Sequence, residues 1–212
     1  MIMDEQEVLE ILQKVGAFRG GHFVFTSGRH GDSYINKDAL YTHTHDLSRL
    51  CRSVAERFAD KGIEVVIGPA VGGAILSQWV AFHLTDIVGH EVFAAFADKD
   101  GEGGFVIKRG YEKIIVGKKA LVMEDLTTTG GSLRKVVELA YSHDADVIAA
   151  VVICNRGDVQ KKDVGNPKDF VSLVKLELDS WNEGECDLCA SGIPVNTDIG
   201  HGHAFLAQKK KA

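Results

Sequence analysis

No run of about 18 apolar residues occurs anywhere in the chain, so it offers no helix long enough to span a bilayer. Residues 1–23 also lack the charged-then-apolar order of a secretory signal. Together these absences predict a soluble, cytoplasmic protein with no membrane partner. Excess positive charge is missing too. Lysine and arginine number 24 against 30 aspartates and glutamates, a net charge of −6, which argues against a general nucleic-acid binder, because phosphate-backbone affinity comes from clustered cations. Cysteine is scarce, with four in 212 residues. Cys51 falls in a helical pattern and Cys154 ends an apolar run, and both read as buried thiols. What is present is 45% hydrophobic sequence, enough to pack one sizeable α/β domain.

Leu47, Leu50, Cys51, Val54 and Phe58 recur at helical spacing, which predicts an amphipathic helix over 46–59. "IEVVIG" (63–68) reads as a short buried strand, and "GGAILSQWVAFHL" after it as a mostly buried helix. "EVFAAFA" (91–97) and "GFVIKRGY" (104–111) predict strands on either side of the polar turn "DKDGEGG", which is expected to be exposed and mobile. "KALVM" (119–123) repeats the buried-strand pattern, with Leu133, Val136, Val137, Ala140 and Tyr141 marking the helix that follows. Further strands are expected over 145–154 and 170–178, the last at a sheet edge. Strands alternating with helices define an α/β class with a mostly parallel sheet flanked by helices. The N-terminal 40 residues depart from that rhythm: "HFVFTSG" and "SYINKD" are short, alternating and turn-bounded, and read as a hood on the sheet. Residues 1–212 are expected to form one domain, with 1–40 as hood and 180–212 as a tail.

In "LVMEDLTTTGGS" (121–132) a strand runs into a loop of small residues. Ligands of parallel sheets collect beyond the strands' carboxyl ends, where helix N-termini present free N–H groups. Gly130 and Gly131 let a backbone come close, and Thr128, Thr129 and Ser132 add hydroxyls. GxxxxGK followed by Ser or Thr is absent, so this is no Walker A loop. The adjacent acids Glu124 and Asp125 would repel a bare phosphate, yet they suit the vicinal hydroxyls of a phosphorylated sugar and favour nearby Mg²⁺. Capping of the helix N-terminus is the alternative reading of these acids.

An aliphatic strand, an acid pair and a Thr-Thr-Gly-Gly-Ser loop closely resemble the phosphoribosyl-diphosphate signature of type I phosphoribosyltransferases. The resemblance implies that Glu124 and Asp125 hold the ribose hydroxyls, while Leu126, Thr127, Thr128, Thr129, Gly130, Gly131 and Ser132 surround the 5′-phosphate. Thr127 stands where an aliphatic residue is usual and is expected to point away from the ligand. "GPAVGG" (68–73) resembles the family's pyrophosphate loop, which assigns Pro69, Ala70, Val71, Gly72 and Gly73 to the leaving group. Lys99, Lys108 and Arg109 flank the polar turn and are the candidate cations for catalysis, beside Asp125. The turn lacks the histidine of the commonest form of the family's basic flexible loop. The hood, with Phe-X-X-X-Ser-Gly at 23–28 and Tyr-X-Asn at 34–36, is most similar to the orotate-specific branch. There the resemblance implies base contacts from Arg156 and Thr128, with Lys37, Arg29 and His30 as further candidates, Mg²⁺ as cofactor, and a homodimer sharing its loop. It covers roughly 8–193. A purine-specific phosphoribosyltransferase, or a non-catalytic sensor of phosphoribosyl diphosphate, is the alternative.

The tail places Cys186, Cys189, His201 and His203 in a CxxC…HxH order compatible with zinc. The resemblance implies no metal there, since relatives carry a similar Cys-X-X-Cys-X-X-Gly-X-Pro tail, usually with proline where this chain has Asp187.

Overall fold

The structure is a computed structural model that describes residues 2–209. Asp4 opens the first helix, α1 (Glu5–Lys14), through a reciprocal capping box with Glu7. Two antiparallel strands follow, β1 (Phe18–Val24) and β2 (His30–Ile35), forming a sheet of their own. An irregularity in their register lies between Gly20 and Phe23. Such a bulge breaks strict alternation, and His22 and Phe23 are both buried although adjacent. The short α2 (Asp38–Thr42) leads into α3 (Thr44–Phe58), whose apolar stripe is buried from Leu47 to Phe58.

The main sheet has six strands: β3 (Val65–Pro69), β4 (Phe93–Lys99), β5 (Phe105–Ile107), β6 (Lys119–Thr127), β7 (Asp146–Asn155) and β8 (Asp169–Lys175). Their spatial order is β5-β4-β3-β6-β7-β8. All neighbouring pairs are parallel except β4 with β5. Each face is covered. On one side α1, α3 and α4 (Gly72–Val88) pack against Val66, Leu121, Met123, Val151 and Ile153. On the other, α6 (Gly131–Ser142) and the short α5 (Glu112–Ile115) pack against Val65, Ile67, Val122, Ala150 and Val152. Residues one apart on a strand point to opposite faces, so this two-sided burial is why the strands read as continuous apolar runs rather than alternating ones. The carboxyl ends of β3 and β6 lie side by side, and there the two glycine loops meet.

Boundaries moved in two places that matter. β6 does not end at Met123 but runs on to Thr127, so the acid pair sits on the strand itself. The expected strand over 104–111 is only Phe105–Ile107. Lys108 follows it in a turn, and Arg109 takes a left-handed φ of 65°, which ends the strand. β8 lies at the sheet edge as expected. The tail adds α7 (Asp187–Ala190) and α8 (Gly202–Lys209), and its last three residues lie outside the described ones.

Candidate functional site

Consecutive positions on β6 send Glu124 and Asp125 to different surroundings. Asp125 is buried, 5% exposed, and accepts hydrogen bonds from the Tyr41 hydroxyl and, at 3.1 Å, from Lys37 Nζ. Burial, and then the Asp125 charge, raise the Tyr41 pKa, so its phenol stays a donor. Glu124 instead lines a cavity with Leu126, Thr127, Thr128, Thr129, Gly130, Gly131 and Ser132. Burial first and the Asp125 charge second push the Glu124 carboxyl up to about 8, with Lys37 opposing. A cation near these carboxylates would relieve that repulsion. The oxygen donor set fits Mg²⁺, a hard ion that pairs one or two carboxylates with substrate phosphates.

The phosphate-type loop has its geometry fixed from within. Gly130 adopts φ 80°, and a Cβ there would meet the Asp163 carbonyl oxygen at 2.6 Å. Thr127 is buried, and its hydroxyl accepts the Gly130 N–H at 3.0 Å. Thr128, Thr129 and Ser132 are exposed at the mouth of α6, where orphan N–H groups and the helix dipole favour an anion.

The loop after β3 follows a different plan. Pro69, Gly72 and Gly73 are buried while Val71 is 74% exposed, and the Ala70–Val71 peptide bond is cis. A Cβ on Gly72 would overlap both the Asp125 carboxylate and the Tyr41 hydroxyl. The loop therefore packs directly against the acid on β6. Beside it a cavity of about 520 Å³ is lined by Lys37, Asp38, Tyr41, Ala70, Val71, Gly72 and Lys99. Lys99 also lines the neighbouring cavity, of about 350 Å³, with Gly101, Gly103, Phe105, Ser132 and Lys135. The polar turn is held by Asp100, which accepts the N–H groups of Glu102 and Gly104 at 2.8 Å, and by Lys135, which donates to the Gly103 carbonyl. Arg109 pairs with Asp98 at 2.9 Å and lies over the Phe96 ring. Lys108 is exposed.

Arg156, just past β7, stands over the Phe25 ring at 5.2 Å. Both line a cavity of about 430 Å³ with Thr26, Ser27, Tyr34, Ile35, Ser180 and His201. Lys37 is not part of that lining and sits at Asp125 instead. Arg29 donates to the hydroxyl and carbonyl of Ser180, and His30 is fully buried. The zinc-compatible order of Cys186, Cys189, His201 and His203 is not what meets in space. His201 Nε2 lies 2.9 Å from Thr26 Oγ1, and His203 is exposed on α8, while Cys186 and Cys189 face His22 and His30. The HxH spacing misled because hood histidines 160 residues away in sequence reach the cysteines first. Tyr41 and Phe25 were equally invisible as site residues. Phe25 lies inside the hood motif, but no local signal marked Tyr41.

The family description "Phosphoribosyl transferase domain" matches residues 37–189. The chain belongs to the phosphoribosyltransferase family. It is 38% identical to the orotate phosphoribosyltransferase of Caldanaerobacter subterraneus over 91% of this chain and 96% of that protein. Among solved structures it is similar to orotate phosphoribosyltransferase from Mycobacterium tuberculosis, with a TM-score of 0.63 and 20% identity over 80% of this chain and 97% of the other. It is also similar to adenine phosphoribosyltransferase from Thermoanaerobacter pseudethanolicus, with a TM-score of 0.57 and 16% identity over 80% of this chain and 99% of the other. At these identities the structural likeness speaks for the fold, which enzymes acting on different bases share.

Proposed function

We propose that this chain is an orotate phosphoribosyltransferase, joining orotate to the phosphoribosyl group of phosphoribosyl diphosphate and releasing pyrophosphate, in pyrimidine nucleotide synthesis. The observation that carries the reading is the likeness to curated orotate enzymes over nine-tenths of the chain, hood included. The cavity that Phe25 and Arg156 both line agrees with it, since a flat anionic ring needs a stacking surface and a planar cation.

In this reading the 5′-phosphate sits on Thr128–Ser132 at the α6 N-terminus, and the ribose hydroxyls donate to Asp125 and Glu124. The diphosphate lies along Ala70–Gly73 within reach of Lys99 and Lys37, and Lys108 and Arg109 supply further positive charge from the turn. Orotate stacks on Phe25 with its carboxylate toward Arg156, and Thr128 touches the same ring. Glu124 and Asp125, with substrate oxygens, would hold a Mg²⁺ ion, which would supply charge neutralisation for the diphosphate. The anomeric C–O bond breaks with its electron pair leaving on pyrophosphate. The ring nitrogen forms the new C–N bond and gives up its proton. No strong general base is needed, because that N–H is already acidic, and the site's task is positioning and charge complementarity.

The proposal also takes 1–212 as one catalytic unit with its hood (1–40) and tail (180–212), working in the cytoplasm as a homodimer. Among the described residues no helix is long and apolar enough to cross a membrane. Light scattering at twice the chain mass would support the dimer. The decisive assay is the loss of orotate absorbance on adding phosphoribosyl diphosphate and Mg²⁺. Turnover of adenine or hypoxanthine with none of orotate would overturn the assignment.

A further inference from the structure

Four donors from opposite ends of the chain converge behind the base-side cavity. His22 and His30 come from the hood strands, Cys186 from the N-cap of α7 and Cys189 from within it. Their ligand atoms all lie within 4.8 Å of one another. Cys186 Sγ is 3.6 Å and Cys189 Sγ 3.7 Å from His22 Nε2, and Cys189 Sγ is 3.4 Å from His30 Nδ1. Tetrahedral zinc, with Zn–S of about 2.3 Å and Zn–N of about 2.0–2.1 Å, sets sulfur–nitrogen edges of about 3.6 Å and a nitrogen–nitrogen edge of about 3.3 Å. Three of the four sulfur–nitrogen edges already match, and the fourth, between Cys186 and His30, is within 4.8 Å. The two nitrogens stand 2.8 Å apart and need to open by about 0.5 Å.

The outer shell fits as well. His22 Nδ1 donates to the Ile193 carbonyl at 2.7 Å, which fixes the tautomer and turns the Nε2 lone pair toward the cysteines, as metal-bound imidazoles are commonly held. Without a metal, His30 Nδ1 has to donate to that lone pair, and its own Nε2 is then a buried acceptor with no partner. With Nδ1 on a metal, Nε2 carries the proton, on a ring whose centroid lies 4.9 Å from that of Phe205 at a steep inclination. His22, His30 and Cys186 are at most 3% exposed.

We infer that His22, His30, Cys186 and Cys189 form a structural zinc site that clamps the C-terminal tail to the N-terminal hood. Two thiolates and two imidazoles are a set suited to zinc, and four protein ligands close the coordination shell, which marks a structural rather than a catalytic site. Binding takes up Zn²⁺ and releases the two thiol protons. The ion would reinforce backbone contacts that already join the two ends: His30 and Trp181 exchange hydrogen bonds at 2.8 Å, and Asn196 N–H donates to the His22 carbonyl at 2.7 Å.

The test is metal content of the full-length protein purified under reducing conditions without added zinc, together with the visible spectrum after exchange with Co²⁺. About one zinc per chain and the intense absorption of a tetrahedral cobalt–thiolate centre are expected. Cys189→Ser should weaken binding by ~100-fold or more, whereas His201→Ala and His203→Ala should leave stoichiometry and spectrum unchanged. Wild-type protein that neither carries zinc nor takes up Co²⁺ would overturn the inference, and so would loss of binding in His201→Ala. Because the readouts on wild-type protein need no variant to fold and no orotate turnover, their failure is separate from failure of the enzymatic assignment.

Discussion

The strand-loop-helix units β3–α4 and β6–α6 share one topology and use glycine in opposite ways. In the first, Gly72 is bare because its backbone lies against the Asp125 carboxylate and the Tyr41 hydroxyl, groups that belong to other elements. In the second, Gly130 supplies a left-handed turn, and the loop's character comes from its hydroxyls. The first loop is shaped by what it must touch, the second by how it must bend as well as by the Asp163 carbonyl against Gly130. Asp125 is where they join, since it stands on the second unit's strand and is covered by the first unit's loop.

Replacing that joint should have the largest effect. Asp125→Asn is expected to lower orotate turnover by roughly 10³-fold, a loss on the scale of removing one preorganised electrostatic contact, with the melting temperature little changed. Wild-type rates would take Asp125 out of the chemistry. Gly72→Ala comes next. Its methyl group must push aside Asp125 or Tyr41, so activity should fall by roughly 10²-fold and stability by about 1–3 kcal/mol, both measurable on one preparation by assay and urea titration. If stability falls while activity holds, the close approach serves packing alone, and the contrast between the loops weakens. In the second loop, Thr127→Val leaves the buried Gly130 N–H without its acceptor, which should cost about 1 kcal/mol and show as a melting shift of a few degrees. No shift would mean the turn is held by Gly130 alone.

The remaining expected effect is a pH dependence. Glu124 is held near 8 in the folded chain against an ordinary carboxyl value, so between those two values the folded state keeps a proton that the unfolded chain has lost. Stability therefore declines as pH rises through that window. Glu124→Gln cannot ionise, and its melting temperature relative to wild type should climb between about pH 5 and pH 8 and level off above that. A constant difference would show that the carboxylate is better solvated than its burial indicates.

The main sheet was legible because its signals are local. Apolar runs gave β3, β6 and β7 to within a few residues, and helical spacing gave α3 and α6. The acid pair was found, but its division between two environments was not, because that depends on β6 continuing past Met123. Lys108 and Arg109 were placed on a longer strand than exists, since nothing in "IKRGY" announces that Arg109 takes a positive φ. Tyr41, and the approach of the two hood histidines to the tail cysteines, escaped for one reason: the partners lie 84 and roughly 160 residues away. Proximity of that kind is made by the fold, and no window along the sequence contains it.

Tyr41 and Lys37 already occupy Asp125 before any ligand arrives. Both donors are on Oδ2, so a hydroxyl seeking that same oxygen must trade places with an internal donor, and its net gain there is the difference between two hydrogen bonds rather than the whole of one. Arrival and departure at this position are then both exchanges. An exchange lets a donor of the right shape in without holding it too firmly to leave.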